Sequence, residues 1–489
     1  MNRRTFSKGV VALGMGSAGL AGAAPERAAA AESAPRYWEE PARQLPAGDC
    51  DVVVAGAGTA GVVAALAAAR NGARTVLIER KGYPGGTVTE GGTALHSFYN
   101  LWKAFPRVEK RQVVRGIAQE IIDRLMAVGG CSGHAEMTQG YNYDCVCTAI
   151  DTELYKLITW RMLAEAGVDV RVNTLLVGAI ADRGRVRGVL TESRDGREAL
   201  FARCFVDCTA FGDLAAYAGA DYREPNDYPV VNSIGFANVN MERYHAWLDS
   251  HGAVTQYAEG VRSGEPGKIV RVQPNTGKLP EAFRNGCRKI GMSLVTTSVH
   301  DNYFMFIKIN FKMRVSPTDA RAVSKAELEL RERQAKAVDL FRRFVPGCEK
   351  AFMARTSPTL CIRRGRQTVC DYDVTHEDVI EARHFDDEVM VYGFHDSAPR
   401  LQVGGGGTYG LPYRALRVAK LENLLAAGML ITSDHRAHMS TRNTVCCMGQ
   451  GQGAGTAAAL CAANGCGTRD LKYADLRKAL EAGGVYFEA

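Results

Sequence analysis

Two arginines and a histidine are residues whose types and spacing could support chemistry. Arg363 and Arg366 stand three residues apart, and guanidinium groups can hold a carboxylate or a carbonyl oxygen through paired hydrogen bonds. The alternative, that both are solvated surface arginines, stays open. His395 directly precedes Asp396, so its imidazole could be oriented for proton transfer or could serve only in polar packing. We predict catalytic roles for Arg363, Arg366 and His395.

The stretch 50–86 predicts the element that must position a cofactor beside such residues. The apolar run Val52–Ala55 is typical of a buried parallel strand, and G-x-G-x-x-G follows at 56–61. An alanine-rich helix then ends at Gly72, and a second strand ends on Glu79. In such a unit the glycines admit a pyrophosphate to the helix N-terminus, and the acid accepts ribose hydroxyls. The predicted dinucleotide contacts here are Gly56, Gly58, Thr59, Ala60, Gly61 and Glu79.

Length and composition predict a folded globular protein. With 489 residues the chain can bury a large core and should form about two domains. Its net charge of +7 is too small to predict nucleic-acid binding. The 14 cysteines are scattered, and neither they nor the histidines have the spacing of a metal, haem or iron–sulfur site. We therefore predict no metal, and expect most cysteines to be small core residues.

The first 31 residues resemble a twin-arginine signal peptide. Arg3 and Arg4 lie in a basic segment, a mild apolar run follows at 10–24, and alanines at 28–31 offer a cleavage site. The apolar run is shorter than the ~20 residues that a membrane span needs. We expect 1–31 to be removed and 32–49 to be a linker. The protein should then be periplasmic or otherwise extracytoplasmic, folded around its cofactor before export, and not an integral membrane protein.

Motifs at both ends of the chain extend the predicted cofactor site. E-R at 79–80 and P-G-G-T at 84–87 follow the second strand. Y-G-L-P-Y-R-A-L at 409–416, L-E-N-L-L-A-A-G at 421–428 and G-Q-G-A-G-T-A-A-A-L at 451–460 come later, in that order. Together these motifs resemble the FAD-dependent oxidoreductase family, near the fumarate-reductase-like and heterodisulfide-reductase-like flavoproteins.

The resemblance implies FAD as the cofactor and a glutathione-reductase-like fold. The predicted fold class is α/β, with a Rossmann-like FAD-binding domain, a parallel sheet with helices on its faces, and an inserted α+β substrate domain. We place the FAD-binding domain at 50–220 and 400–489. The substrate or cap domain would be 221–399, where the nucleotide-fold pattern disappears.

The resemblance also implies further contacts with FAD. The run at 85–87 would follow the ribityl chain and the ring, 174–177 would pass the adenine, and the strand before Thr209 would re-enter the sheet near the cofactor. This chain has Ala210 where the family usually has glycine. A small-residue helix predicted to begin near Gly451 would direct its N-terminus at the flavin. The residues implied are Arg80, Gly85, Gly86, Thr87, Val177, Thr209, Gly451, Gln452 and Ala454.

Further catalytic candidates come from the same family motifs. Tyr409 and Arg414 could act in catalysis or could hold a domain interface. His435, His438 and Arg442 precede the final helix, where one of them could be an acid or an anchor for the flavin. His96 lies near the expected path of the flavin and could be a point of covalent attachment.

Several functions fit these residues. Our first prediction is a reductase that transfers a hydride from flavin N5 to an activated double bond of a small organic substrate. The alternative is an FAD-dependent dehydrogenase or oxidase, and thiol or disulfide chemistry at Cys446 and Cys447 or a substrate-less electron carrier are further hypotheses. Because no second G-x-G-x-x-G with an acid is present, electrons should be exchanged with an external redox partner.

Overall fold

The computed structural model describes residues 38–92, 94–139, 145–396 and 401–488. Two compact units divide the chain, Met1–Gln44 and Leu45–Ala489. The predicted signal peptide lies outside the described residues, and 38–44, the described part of the first unit, contains no helix or strand. The sheets and cavities described below belong to the second unit.

The helices and strands of the second unit are numbered in chain order. The α-helices of the described residues are α1 (Thr59–Arg70), α2 (Thr87–Gly91), α3 (Ile117–Ala127), α4 (Thr152–Glu165), α5 (Asp213–Tyr217), α6 (Met241–Ser250), α7 (Glu281–Ile290), α8 (Ala320–Phe344), α9 (His376–Ile380), α10 (His438–Thr441), α11 (Thr444–Asn464) and α12 (Tyr473–Ala482). The strands are β1 (Ala47–Asp49), β2 (Val52–Ala55), β3 (Thr75–Ile78), β4 (Leu95–His96), β5 (Ala135–Gln139), β6 (Val146–Thr148), β7 (Asp169–Arg171), β8 (Leu175–Asp182), β9 (Arg185–Ser193), β10 (Gly196–Phe201), β11 (Cys204–Asp207), β12 (Tyr222–Arg223), β13 (Val230–Ala237), β14 (Val254–Arg262), β15 (Glu265–Pro274), β16 (Met292–Ser293), β17 (Thr296–Thr297), β18 (Tyr303–Phe311), β19 (Phe352–Thr356), β20 (Gln367–Thr368), β21 (Glu388–Tyr392), β22 (Tyr409–Pro412) and β23 (Leu424–Ala426).

A five-stranded parallel sheet confirms the predicted α/β fold class. Its order is β23-β11-β2-β3-β7, and every neighbouring pair is parallel. The strands β2, β3, β11 and β23 are buried along their whole length, because helices cover a parallel sheet on both faces. This burial explains why their sequences are apolar runs without alternation. The predicted strand at Val52–Ala55 is confirmed to the residue.

Helices α1 and α11 pack against each other through glycine. A Cβ atom on Gly451 would lie 2.2 Å from the Ala60 carbonyl oxygen, and one on Gly455 would lie 2.1 Å from that of Ala64. The predicted start of α11 near Gly451 is wrong, because the helix begins at Thr444. The glycines are points of close helix contact, and this packing overrides their low helix propensity.

A four-stranded mixed sheet lies beside the parallel one. It has the order β1-β10-β9-β8, in which β1 and β10 are parallel and the other pairs are antiparallel, and a turn at 182–184 joins β8 to β9. The Asp151 carboxylate caps α4 by accepting from the N–H groups of Glu153 and Leu154.

The largest sheet takes its strands from two parts of the chain. Its order is β19-β13-β18-β17-β15-β14-β5-β6-β4, and β16 pairs with β18. The strands β4 to β6 come from 95–148, whereas the others come from 230–356. The strands from 230–356 share an aromatic core with α6, α7 and α8. The division into FAD-binding and inserted domains stays a prediction. None of the helices that the structure describes is long and apolar enough to cross a membrane.

Candidate functional site

Glycines shape a cradle at the start of α1. Gly56 has a φ of +92°, and a Cβ atom there would lie 2.5 Å from the Cys208 carbonyl oxygen. Gly86 has a φ of +50°, and a Cβ atom there would lie 2.8 Å from the Gly58 Cα. The first intrahelical bond of α1 is from the Val62 N–H to the Gly58 carbonyl. The N–H groups of the first turn therefore have no partner within the helix, and they can bind a phosphate.

Glu79 lies at the end of β3, as the dinucleotide motif requires. Its Oε2 accepts from the Ala57 N–H at 2.8 Å, and its Oε1 accepts from the Lys81 N–H at 2.9 Å. Burial raises the pKa of this carboxyl group, while the two N–H groups oppose that shift. Each carboxylate oxygen has a second lone pair, so Glu79 can also accept a ribose hydroxyl.

Two neighbouring cavities open from the glycine cradle. The first cavity, of about 260 Å³, contains Arg363 and Arg442 in its wall. The second cavity, of about 240 Å³, contains Glu79, Arg80 and Thr209. The residues that line both are Gly58, Gly86, Thr87, Gly91, Cys208, Ala210, Ser357, Cys361 and Met429. The shared walls make one long cleft, with thin backbone and free N–H groups at its middle, and this shape fits FAD.

The structure divides the predicted cofactor contacts into two groups. Those that line a cavity are Gly56, Gly58, Thr59, Ala60, Glu79, Arg80, Gly86, Thr87 and Thr209. Those that line neither cavity are Gly61, Gly85, Val177, Gly451, Gln452 and Ala454. Gly61 packs behind the turn, where a Cβ atom would overlap the Gly56 carbonyl oxygen. Gly85 donates its N–H to the Ala57 carbonyl and so fixes the neighbouring loop.

The end of α11 that meets the first cavity is seven residues before the predicted one. Asn443 and Thr444 line that cavity, and the Asn443 Oδ1 caps the helix by accepting from the Val445 N–H. Gln452 instead accepts from the Ile117 N–H and donates to the Gly483 carbonyl. The asparagine is a standard N-cap residue, which is the sequence signal that could have located this end.

The two arginines at 363 and 366 do not form a pair in the cleft. Arg363 lines the first cavity, whereas Arg366 donates to the Asp213 carboxylate and lies over the Tyr222 ring. The guanidinium between them, Arg364, is buried against other protein groups. The chain bends at Arg363 and Arg364, so the three-residue spacing alone could not bring both side chains to one substrate.

Arg442 is the second predicted catalytic residue in the first cavity. Its Nη2 donates to the Asp396 Oδ2 at 2.5 Å, and Asp396 lines the same cavity. Arg363 and Arg442 therefore reach one cavity from different parts of the chain. This is the pair of predicted catalytic residues that the fold brings together.

Tyr409 and Arg414 lie away from both cavities. Tyr409 is fully buried, and its hydroxyl is 2.7 Å from the Ser440 Oγ. Arg414 donates to the Asp387 carboxylate. These contacts join neighbouring segments, in line with the interface role that was the alternative to catalysis.

The two histidines that were predicted to be catalytic, His395 and His435, also line neither cavity. The side chain of His435 is half exposed, and its Nδ1 is 2.5 Å from the Asp227 Oδ2. His395 is buried, its Nε2 donates to the Arg436 carbonyl at 3.1 Å, and burial lowers its pKa. Catalytic roles for the two stay predictions that the observed geometry does not favour.

The large sheet supplies cavity residues that sequence reasoning missed. Arg271 on β15 and Lys308 on β18 both line the first cavity, as does Phe306. Burial, and after it the charge of Arg363, lower the pKa of Lys308 from 10.5 to about 8. His96, named above as a point of covalent attachment, also lines this cavity.

A bulge in β18 explains why Lys308 was missed. Ile234 pairs with Ile307 and Phe236 with Phe304, so three residue steps on β18 face two on β13. Phe306 has a φ of +75° within this bulge. Simple alternation would put Phe304, Phe306 and Lys308 on one face, but the bulge sends Phe304 to the core and the other two to the cavity.

The vicinal cysteines do not have the character of reactive thiols. Cys446 and Cys447 are buried, and burial raises the pKa of both, that of Cys446 to about 12. A thiolate is the reactive form, so this environment disfavours thiol chemistry. All 14 cysteines lie in the described ranges and are free thiols. Across those same ranges, no cluster of three or more histidine, cysteine or acidic side chains could hold a metal ion.

Comparisons with known proteins bear on this site. The family model of FAD dependent oxidoreductases matches residues 51–480. A search of curated proteins found no match. Among solved structures, the chain is similar to a geranylgeranyl bacteriochlorophyll reductase-like protein from Thermoplasma acidophilum, with 13% identity, a TM-score of 0.45 and coverage of 90% of this chain and 83% of that one. A myxobacterial chondrochloren halogenase has 13% identity and a TM-score of 0.47, with coverage of 89% and 78%. The p-nitrophenol 4-monooxygenase of Pseudomonas putida has 10% identity and a TM-score of 0.44, with coverage of 90% and 89%.

Proposed function

Because the chain belongs to the family of FAD dependent oxidoreductases, we propose that it is a reductase acting on an activated double bond of a small organic molecule. It is an enzyme, and FAD is its cofactor. When bound, FAD supplies a hydride at ring atom N5. The resemblance of its motifs to those of fumarate-reductase-like flavoproteins supports this direction of reaction.

The charge of the first cavity is the observation that carries the proposal. Four cationic side chains line it, and the acidic side chain among its described lining residues is Asp396. When a hydride adds to a double bond conjugated with a carbonyl group, negative charge develops on the carbonyl oxygen. Preorganised cations at that oxygen stabilise this charge. The four are Arg271, Lys308, Arg363 and Arg442.

Arg363 and Arg442 are suited to orient and polarise the substrate. Asp396 fixes the Arg442 guanidinium from one side, so the direction of its remaining donors is set before substrate arrives. A proton must also reach the product. With a pKa of about 8, Lys308 is protonated at neutral pH and can supply it.

Rapid mixing of the reduced holoenzyme tests the direction of reaction. Enzyme reduced without oxygen is mixed with enones, with enoates or with oxygen, and reoxidation of the flavin is followed by absorbance. We expect one of the alkene classes to reoxidise it fastest. Arg442→Gln should slow that step by tenfold or more, whereas Arg366→Gln, outside the first cavity, should not. If oxygen is as fast as every alkene, the reductase proposal is wrong.

A dehydrogenase or oxidase is the second candidate. Above pH 8 the Lys308 amine is neutral and could accept a proton from a substrate C–OH or C–NH group. Anaerobic bleaching of oxidised FAD by hydroxy acids or amines would support this direction. In either case we propose an external redox carrier as electron partner, since only one dinucleotide motif is present.

Export is a separate proposal that the leader supports. Arg3 and Arg4 precede an apolar run and alanines at 28–31. Replacing both arginines by lysine should retain the protein in the cytoplasm. Mass spectrometry of the exported wild-type protein should show an N-terminus near residue 32. Export of the double-lysine variant at the normal rate would refute the twin-arginine route.

A further inference from the structure

We propose that the first cavity binds an organic anion whose carboxylate lies between Arg271 and Lys308. This inference rests on the proposed function, because it assigns the substrate class of the same cavity. It goes further because it names the charged group of the substrate. It also names the surface that binds this group, which is formed by the residues of the large sheet that line the cavity.

Arg271 is a buried charge that lacks a counter-ion among the described residues. It is 1% exposed, and its Nε and Nη2 donate to the Gln256 Oε1 at 3.1 and 2.6 Å. Its Nη1 lies 3.3 Å from the His96 Nε2, which must be the acceptor because a guanidinium can only donate. No acidic residue in the described part of the chain forms an ion pair with it. Buried charges in proteins are ordinarily paired, so an anion is the missing component.

Lys308 is a second cation in the wall of the same cavity, and it is partly buried. None of the ion pairs among the described residues involves it, and its Nζ lies 5.0 Å from the centre of the Phe306 ring. Asp396 is the acidic lining residue, but it is held by Arg442 at 2.5 Å. Among the ion pairs of the described residues, that carboxylate belongs to Arg442 and not to Arg271 or Lys308.

The backbone of β18 is distorted where it presents Lys308. Phe306 has a φ of +75°, which is unfavourable for a bulky side chain, and the bulge lies beside the cavity. Strained bulges persist where they place a side chain for function. Together with a planar guanidinium, which suits the two oxygens of a carboxylate, this placement favours a carboxylate as the bound group.

Binding of unreactive carboxylates to the oxidised holoenzyme tests the inference without any turnover. Succinate and benzoate are titrated against the enzyme beside their uncharged amides, with flavin absorbance and calorimetry as readouts. We expect the carboxylates to bind and the amides not to bind. Lys308→Met should weaken carboxylate binding by tenfold or more, and Arg271→Gln should do the same. Lys312→Met, an exposed lysine four residues along the chain, is the matched control and should change nothing.

Thermal stability separates a binding role from a structural one. Lys308→Met keeps the apolar stem but removes an uncompensated charge, so the ligand-free variant should melt at a higher temperature than wild type. A lower melting temperature with unchanged carboxylate affinity would make Lys308 structural and overturn the inference. This measurement does not depend on Arg271→Gln, which leaves Gln256 and His96 without their donor and could fold poorly.

Two outcomes distinguish this inference from the reductase proposal. If the variants shift the flavin potential but leave carboxylate affinity unchanged, the cations serve the flavin and the inference is wrong. If carboxylates bind as expected but no alkene reoxidises the flavin, the anion site stands and the reductase proposal fails.

Discussion

Ala210 has a backbone conformation that favours glycine. Its φ is +72°, and it lines both cavities. A left-handed conformation costs an L-residue about 1 kcal/mol or more, so Ala210→Gly should stabilise the protein by about 1 kcal/mol. Urea denaturation measures the change. Ala218→Gly makes the same replacement at a φ of −81° and should be destabilising or neutral. Equal effects at both positions would show that strain at Ala210 is absent.

The pKa of Lys308 makes a prediction about stability and pH. Arg363, Arg271 and Arg442 lower this pKa, Asp396 raises it, and burial is the largest cause of the net decrease. Between the folded pKa of about 8 and the usual 10.5, the unfolded chain binds a proton that the folded chain does not. The stability of wild type relative to Lys308→Met therefore rises across this window.

The quantity to measure is the difference in the free energy of unfolding between Lys308→Met and wild type as a function of pH. Lys308→Met should be more stable than wild type below pH 8, and the difference should disappear by about pH 10.5. Denaturation of both proteins at matched pH values removes the contributions of other titrating groups. A difference that is constant from pH 7 to pH 10.5 would mean that Lys308 keeps an ordinary pKa.

At the scale of elements, the contact between α1 and α11 depends on the absence of a side chain. A Cβ atom on Gly455 would lie 2.1 Å from the Ala64 carbonyl oxygen, which is backbone and cannot move aside alone. We expect Gly455→Ala to destabilise the protein by about 1–3 kcal/mol, as overpacked cores do. Gly48→Ala is the control, because its Cβ atom would meet Leu200 Cδ1 at an ordinary 3.5 Å. Similar denaturation midpoints for the two variants would contradict the close packing.

The FAD-binding elements could be predicted because their signals are local. In 50–86, strand, glycine turn, helix and terminal acid follow one another without interruption, and each step has its own residue requirement. The start of α11 was mistaken because glycines in close helix contact look the same in sequence as glycines in a turn. The asparagine N-cap at 443 was the weaker but correct local signal.

The part of the first cavity that the large sheet forms could not be predicted in this way. Arg271 and Lys308 lie on strands that meet the cavity only after ten strands from 95–148 and 230–356 have assembled. The bulge that turns Lys308 inward depends on the pairing of β18 with β13, and pairing between distant segments leaves no local pattern. Arg363 was identified by sequence, but its predicted partner Arg366 was replaced by Arg442 in the observed cavity.

At the scale of the whole molecule, the long cleft lies where the parallel sheet and the large sheet meet. Arg355 joins β19 of the large sheet to α2, since its Nη2 donates to the Thr89 carbonyl at 2.6 Å and to the Glu90 carbonyl at 3.0 Å. The Thr359 hydroxyl also donates to the Glu90 carboxylate, at 3.1 Å. FAD in the cleft would contact residues of both sheets, so cofactor binding should stabilise the two together.

Removal of FAD should therefore lower the melting temperature of the protein, and the two sheets should still unfold together in one cooperative transition. A ligand present at 100 times its dissociation constant stabilises the folded state by about 2.7 kcal/mol. Calorimetry of the protein with and without FAD measures this shift. Gly86→Ala is the matched control, because its Cβ atom would lie 2.8 Å from the Gly58 Cα and would deform the cradle. FAD should raise the melting temperature of wild type and leave that of the variant unchanged. An equal increase in both proteins would show that FAD binds elsewhere than at the glycine cradle.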